Sequence, residues 1–326
     1  RRAGPSREGD AVTRLPILFA GASRLVGLME RFRAAAAAEE VTLDAVSIED
    51  VSPWHAIEAA GVCAVARGPA FDDPGFPPFL LDLAARHGAA ALIPVVDRAL
   101  MAILPHRAAL ESAGTRLVAS ATELCALMDD KREADRLFRS HGLPVPDGDG
   151  YPRVAKPRRG SSGRGFEIFK DASEQEFWSA RNRAREHLIQ PLLRGDEYSV
   201  DAYVAAGGRT LGAVARRRIV VVGGEVMVTA TERNDRVLAL AARVLAIPGW
   251  VGPINIQAID APGGAVLIEV NPRFSGGITC SIEAGLDAPR WILRECLGRP
   301  LPDRPIDWRP GLCMTRSRRD HFTWLS

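Results

Sequence analysis

The sequence is poor in lysine, and that scarcity narrows its chemistry before any motif is read. Against 40 acidic residues stand 42 basic ones, of which only Lys131, Lys156 and Lys170 are lysine. Any task that needs a flexible ammonium falls to one of these three, because the other cations are planar guanidinium forks. A net charge of +2 gives no electrostatic case for a nucleic-acid or membrane partner. The five cysteines are scattered and odd in number, with no Cys-x-x-Cys pair. That excludes a zinc-binding or disulfide framework and suits a reducing compartment. No apolar run approaches the roughly 18–20 residues of a membrane-spanning helix. The polar stretch 1–14 has no apolar segment of a signal peptide and is expected to be flexible. Together these absences predict a cytoplasmic protein.

What is present is enough for two or three compact units: 326 residues, 47% hydrophobic and 25% charged. Leu15–Ala20 is a short apolar run, followed by Gly21 and a helical stretch to Ala38. Val41–Ile48 alternates, Phe79–His87 has helical spacing, and Ala89–Val96 is again a buried-strand run. Strand alternating with helix predicts a parallel sheet covered by helices. Leu117–Ala119 is a further short strand before a helix at Thr122–Met128. Beyond Asp129 the character changes. Lys131–Ser140 is helical, Val154–Lys156 and Phe166–Phe169 read as a hairpin, and Glu197–Val204, Thr210–Ala215 and Ile219–Val222 read as strands. A helix at Arg236–Leu245 precedes strands Ile254–Asp260 and Ala265–Val270. An α/β unit therefore feeds an α+β region built from hairpins.

The most specific motif is Glu269-Val270-Asn271-Pro272-Arg273. Alternate residues of a strand share a face, so Glu269 and Asn271 point one way and Ile268 and Val270 the other. If Ala261–Gly264 is the turn of a hairpin, Gln257 lies opposite Glu269 to within about one residue. Three hard oxygen donors then sit together, the kind of set that holds Mg²⁺ with phosphates. Arg273 is in reach of a transferring phosphoryl group. The second motif places Lys156 at a strand end before the glycine-rich Gly160-Ser161-Ser162-Gly163-Arg164-Gly165, whose N–H groups can cover phosphate oxygens. It lacks the Gly-Lys-Ser/Thr of a P-loop. Lys131 opens a helix after Asp129-Asp130. A third cluster, Leu188-Ile189-Gln190-Pro191-Leu192 with Glu197 beyond, can hold an adenine edge and ribose hydroxyls.

In this order and spacing the motifs resemble the ATP-grasp superfamily, and within it the single-chain ligases that are like carbamoyl-phosphate synthase. The likeness runs through DDKREADRLFRSHGLPVP, VAKPRRGSSGRG, IQPLLRGDEYSVD, GPINIQAID and IEVNPRFSGG. It implies a Rossmann-like pre-ATP-grasp domain (15–121), a small nucleotide lobe (122–189) and a large lobe (190–326). It implies that Lys131 and Lys156 bind ATP phosphates under the loop Gly160, Ser161, Ser162, Gly163 and Gly165. Gln190 and Leu192 contact adenine, and Glu197 the ribose. Gln257, Glu269 and Asn271 hold Mg²⁺, with Mn²⁺ as the alternative ion. Arg273, with Arg216 or Arg218, stabilises an acyl phosphate, and the backbone at Gly276-Gly277 lines the acceptor site.

The implied activity joins a small-molecule carboxylate to an amine, releasing ADP and orthophosphate, with a homodimer as the family-level expectation. A phosphotransferase or a catalytically inactive nucleotide-binding protein on the same fold is the alternative. The early Gly-Ala-Ser-Arg-Leu-Val-Gly lacks the full dinucleotide-binding fingerprint, so NAD is not expected. Two departures from the family bear on the acceptor chemistry. The segment 147–153 is short, and Val226-Met227 stands where Ser-Lys is usual, leaving Arg233 as the candidate replacement cation.

Overall fold

The computed structural model describes residues 13–50, 61–160, 165–182 and 186–317. The stretch 1–12, most of the segment expected to be flexible, lies outside them, as do Ser161, Ser162, Gly163 and Arg164.

The first sheet is parallel, in the order β3-β2-β1-β4-β5, from β1 (Arg14–Ala20), β2 (Thr42–Glu49), β3 (Ala64–Arg67), β4 (Ala91–Pro94) and β5 (Arg116–Leu117). Ile17, Leu18, Phe19 and Ala20 are fully buried. Helices on both faces explain that continuous apolar run. α1 (Val26–Ala38) follows β1, and α2 (Phe76–His87) precedes β4. Gly21 turns the chain at φ 80°, where a Cβ would meet Val96 at 2.5 Å, so only glycine closes this strand end. α3 (Asp97–Ile103) and α4 (Arg107–Ser112) lead into β5, then α5 (Thr122–Asp129) and α6 (Lys131–Ser140). Asp130 caps α6 by accepting from the Arg132 N–H at 3.0 Å, and Arg158 Nε donates to the same carboxylate.

The second sheet is antiparallel and three-stranded: β6 (Arg153–Pro157) at its centre, β7 (Glu167–Phe169) and β8 (His187–Pro191). α7 (Ala172–Ser179) leans on it through Trp178 against Phe169, with ring centroids 5.3 Å apart. The third and largest sheet has six strands in the order β13-β12-β9-β10-β11-β14. They are β9 (Asp196–Val204), β10 (Thr210–Val222), β11 (Glu225–Thr231), β12 (Gly252–Ala261), β13 (Gly264–Asn271) and β14 (Cys313–Thr315). α8 (Asp235–Leu245) covers one face, and α9 (Ile278–Glu283) and α10 (Ala288–Cys296) complete the described chain.

The expected pattern of a parallel unit followed by hairpins is the observed one, with two corrections. Thr210–Ala215 and Ile219–Val222 are one strand, because the three arginines between them pair in register with β9 and β11. β3, α3, α4, α7, β11, α9, α10 and β14 are additions to the elements expected from the sequence; β3, α3, α4 and β14 are too short to show a run or a period. The parallel and six-stranded sheets share a core. Phe19 packs on Phe32, and Phe32 on Phe274, in edge-to-face contacts of 4.8 and 6.1 Å. The same seam carries Glu39, buried after α1, which gathers Arg290, Arg294 and Arg299.

Candidate nucleotide and metal site

The six-stranded sheet has one apolar and one polar face, and register decides which residues share each. Val270, Ile256, Val200 and Ala215 lie side by side across four strands, all buried, on the face that α8 covers. On the opposite face Glu269 stands directly across from Gln257, which faces Ser199, then Arg216, then Thr231. One pair along, Asn271 faces Asn255, which faces Asp201. Adjacent strands are about 4.8 Å apart, so Gln257, Glu269 and Asn271 form one oxygen-rich corner. The ladder shifts register between Gln257 and Ala258, leaving Ile268 as the extra residue of a bulge. Such bulges re-aim side chains next to sites. This donor set suits a hard divalent cation: one carboxylate, two amide oxygens and open solvent for phosphate and water.

Two lysines face that corner. Lys131 Nζ donates to the Gly160 carbonyl at 2.7 Å and lies 3.5 Å from Glu269 Oε1. It thereby spans the gap between the glycine-rich loop and the metal strand. Lys156 is half-buried on β6, and burial holds its ammonium below the ordinary lysine value against the opposing pull of Glu269 and Glu197. An incoming polyanion would relieve that cost. Of the loop itself, Gly160 and Gly165 are described, both at positive φ.

The adenine-side residues are distributed differently. On the β6–β8 ladder, Gln190 pairs with Val154 and Leu188 with Lys156, so these side chains share a face. Gln190 is buried, its amide donating to Asp135 at 3.1 Å, and it lines a cavity of about 410 Å³ with Leu188 and Arg139. Its Oε1 has no hydrogen-bond partner among the described residues. Leu192 gives its N–H to the Pro152 carbonyl. Ile168 also pairs with Val154 yet is 50% exposed, and Phe166 two residues earlier is 42% exposed. Uncompensated exposure of this kind marks the face as open for a flat apolar group. The hydrophobic spacing of Phe166 and Ile168 was the signal available in the sequence.

The arginines depart most from expectation. Arg273 lies beside Asn271, but its fork closes on Asp97 of α3 with contacts of 2.6 and 2.7 Å. Arg218 pairs with Glu197 at 2.9 Å, joining a candidate catalytic cation to the candidate ribose ligand. Arg216 is 1% exposed and is held by Asp201 Oδ2 at 2.8 Å and Ser275 Oγ at 2.8 Å. Ser281 and Asn255 complete the Asp201 shell. Burial alone would push the Asp201 carboxyl up; Arg216 and the serine hydroxyls outweigh it and hold it low. A Cβ on Gly277 would strike the Arg216 guanidinium at 2.6 Å, so the glycine at this position makes room for the arginine. Arg233 is turned away, bonded to Asp307 and the Trp308 carbonyl and stacked on the Trp308 ring. The cation brought near Val226-Met227 is instead Arg316 beyond β14, which pairs with Glu225 and donates to the Gly276 carbonyl.

The turn after β1 is also settled by its contacts. Glu49, buried at the end of β2, accepts from the Ser23 N–H at 2.9 Å and the Ser47 hydroxyl at 2.6 Å. A carboxylate of the chain's own thus occupies the N–H groups that a dinucleotide phosphate would need.

Comparison with known proteins bears on the fold. A family model described as "ATP-grasp in the biosynthetic pathway with Ter operon" matches residues 183–318. The biotin carboxylase domain of the Hydrogenobacter thermophilus 2-oxoglutarate carboxylase, a dimer solved with MgADP, ADP and bicarbonate, superposes with a TM-score of 0.70. It is 18% identical, over 90% of this chain and 72% of that one. The chain has the ATP-grasp fold. N5-carboxyaminoimidazole synthetase from Staphylococcus aureus in complex with ADP gives a TM-score of 0.71 at 15% identity, over 91% and 81% of the two chains. The N5-carboxyaminoimidazole ribonucleotide synthetase of Thermus thermophilus gives 0.68 at 18%, over 89% and 80%.

Proposed function

We propose that the chain is an ATP-dependent carboxylate–amine ligase that activates a small carboxylate as an acyl phosphate. The observation that carries this reading is Lys131 against Glu269, with Gln257 directly across the hairpin from Glu269. It supplies an ammonium for phosphate oxygens within reach of a hard-oxygen corner. The matched structures with bound ADP, one of them with MgADP, support it. Gln257, Glu269 and Asn271 would hold Mg²⁺, which when bound offsets the negative charge of the phosphates. Lys131 and Lys156 grip phosphate oxygens under the loop Gly160–Gly165. Gln190 and Leu192 position adenine, and Glu197 the ribose once Arg218 releases it. Boundaries near residues 121 and 189 divide the chain into pre-ATP-grasp unit, small lobe and large lobe.

In the first step a carboxylate oxygen attacks the γ-phosphorus, the bond to the β-phosphate oxygen breaks, and ADP leaves. In the second an amine nitrogen, freed of its ammonium proton, attacks the acyl carbon, the carbon–oxygen bond to phosphate breaks, and orthophosphate leaves as the nitrogen sheds a second proton. Arg273, fixed beside Asn271 by Asp97, presents positive charge to the transferring group. Arg216 serves the site by shaping its floor through Gly277 and Ser275. The reaction belongs in the cytoplasm, and the dimeric Hydrogenobacter domain supports a homodimer.

Hydroxylamine trapping tests the reading. With Mg-ATP, hydroxylamine and a pool of small carboxylates, the ligase yields a hydroxamate and orthophosphate in equal amounts. Phosphate retained on a stable organic product would instead establish a phosphotransferase.

A further inference from the structure

A cavity of about 430 Å³ lies between the metal strand β13 and the first sheet, outside the carboxyl ends of β3 and β4. Strand order reverses between β1 and β4, and the crevice outside such a reversal is where open α/β sheets hold ligands. Its walls join the two halves of the reaction. Glu269 and Asn271 come from β13, Lys131 and Gly160 from the nucleotide side, and Asp97 and Met101 from α3. An occupant therefore sits against the place where the phosphoryl group transfers.

Charge and polarity define the occupant. The cations around the cavity are already engaged: Arg98 with Asp50 at 3.0 Å, Arg273 with Asp97, and Lys131 with Glu269 and the Gly160 carbonyl. The carboxylates are less well matched. Asp129 ends α5, where the helix dipole already disfavours negative charge. Its ion pair is a 3.4 Å approach from Arg159, a side chain 74% exposed. Burial, with Asp97 and Asp130 nearby, pushes the Asp129 carboxyl above its ordinary value against the weaker pull of Arg159 and Lys131. Asp72 stands exposed at the rim. The remaining lining is apolar, from Leu100, Met101, Ala102 and Met128.

We propose that this cavity binds the nucleophilic substrate, a primary ammonium carried on an apolar body, with the ammonium at Asp129 and the body against α3 and Met128. The assignment rests on the ligase reading and adds to it the charge and character of the acceptor. It also gives the first domain a role: α3 selects the amine.

The test uses the full chain with Mg²⁺ and a non-hydrolysable ATP analogue, observed by ligand-detected NMR. Two probe series are compared: amides of the common L-amino acids (cationic, no carboxylate) and the matching N-acetyl amino acids (anionic, no amine). Amides with apolar side chains are expected to bind and the acetylated acids not. Asp129→Asn is expected to weaken that binding at least tenfold, and Ala102→Trp, which fills the cavity, to abolish it. Preferential binding of the acids, absence of amide binding, or amide binding unchanged in folded Asp129→Asn overturns the proposal. Failure of the ligase reading has a separate signature: with Mg-ATP, hydroxylamine and the pool of small carboxylates, the wild-type protein would form no hydroxamate.

Discussion

Lys131 touches two oxygens, one from the glycine-rich loop and one from the metal strand, and its removal has two consequences. In Lys131→Met the Mg-ATP KM rises at least tenfold, because a charge-assisted phosphate contact is gone. Loss of Glu269 acts on turnover instead: Glu269→Ala lowers kcat roughly 10²–10³-fold, measured by coupled ADP release. Asp201 behaves as a structural residue. Asp201→Asn leaves the Arg216 charge buried without its counter-ion and costs about 3–5 kcal/mol, read from urea unfolding. Adding Arg216→Met regains much of that loss. Because the Asp201 carboxyl is held low in the fold, its contribution is fully present above the unfolded value of 3.8. It is lost as pH falls through the lower folded value, so acid unfolding shifts to higher pH in Asp201→Asn. Glu269, Gln257 and Asn271 were legible in the sequence because alternation on two strands and one turn place them. The commitment of Arg216 was not, since its partner lies fifteen residues back on a neighbouring strand and the residue type alone does not separate a buried counter-ion from a catalytic cation.

Elements place these residues by register, and the register of the β12–β13 hairpin is set by a turn and a bulge. β12 was readable because its apolar residues alternate with polar ones, and β13 as a short apolar run after a turn; Asn255 follows from Gln257 by the two-residue period. The helices α3 and α4 were not, because each is a short buried piece without a full amphipathic repeat. The link between β8 and β9 is tighter than its glycine suggests. A Cβ on Gly195 would lie 2.3 Å from the Asp260 carbonyl oxygen, a backbone atom with no room to retreat. Gly195→Ala therefore displaces the link, moving Glu197 and its partner Arg218. The expected result is a lower melting temperature and weaker Mg-ATP binding together, checked by thermal unfolding with and without nucleotide. Equal stabilisation of wild type and variant by Mg-ATP would show that the link does not position the ribose side.

At the scale of the molecule, three sheets meet at one corner and ion pairs fasten them. Arg273, which follows β13, on Asp97 of α3, and Arg290 of α10 on Glu39 at the end of α1, both reach the helices that flank the parallel sheet. The first of these holds the acceptor cavity against the metal strand, so Asp97→Ala frees Arg273 and opens the cavity. Its effect falls on amine KM more than on ATP KM, measured by varying each at saturating levels of the other. The order of strands and helices in the sequence pointed to a parallel sheet followed by hairpins, and the face-to-face placement of α3 and β13 came only with the fold. The central claim is a Mg-ATP site built from Lys131, Lys156, Gln257, Glu269 and Asn271 that drives carboxylate–amine ligation. The most direct test is release of ADP and orthophosphate with Mg-ATP against combined pools of small carboxylates and amines, wild type beside Glu269→Ala. Release that requires both pools and disappears in the variant is the predicted result; release from wild type that is indifferent to the carboxylate pool, or undiminished in Glu269→Ala, contradicts the account.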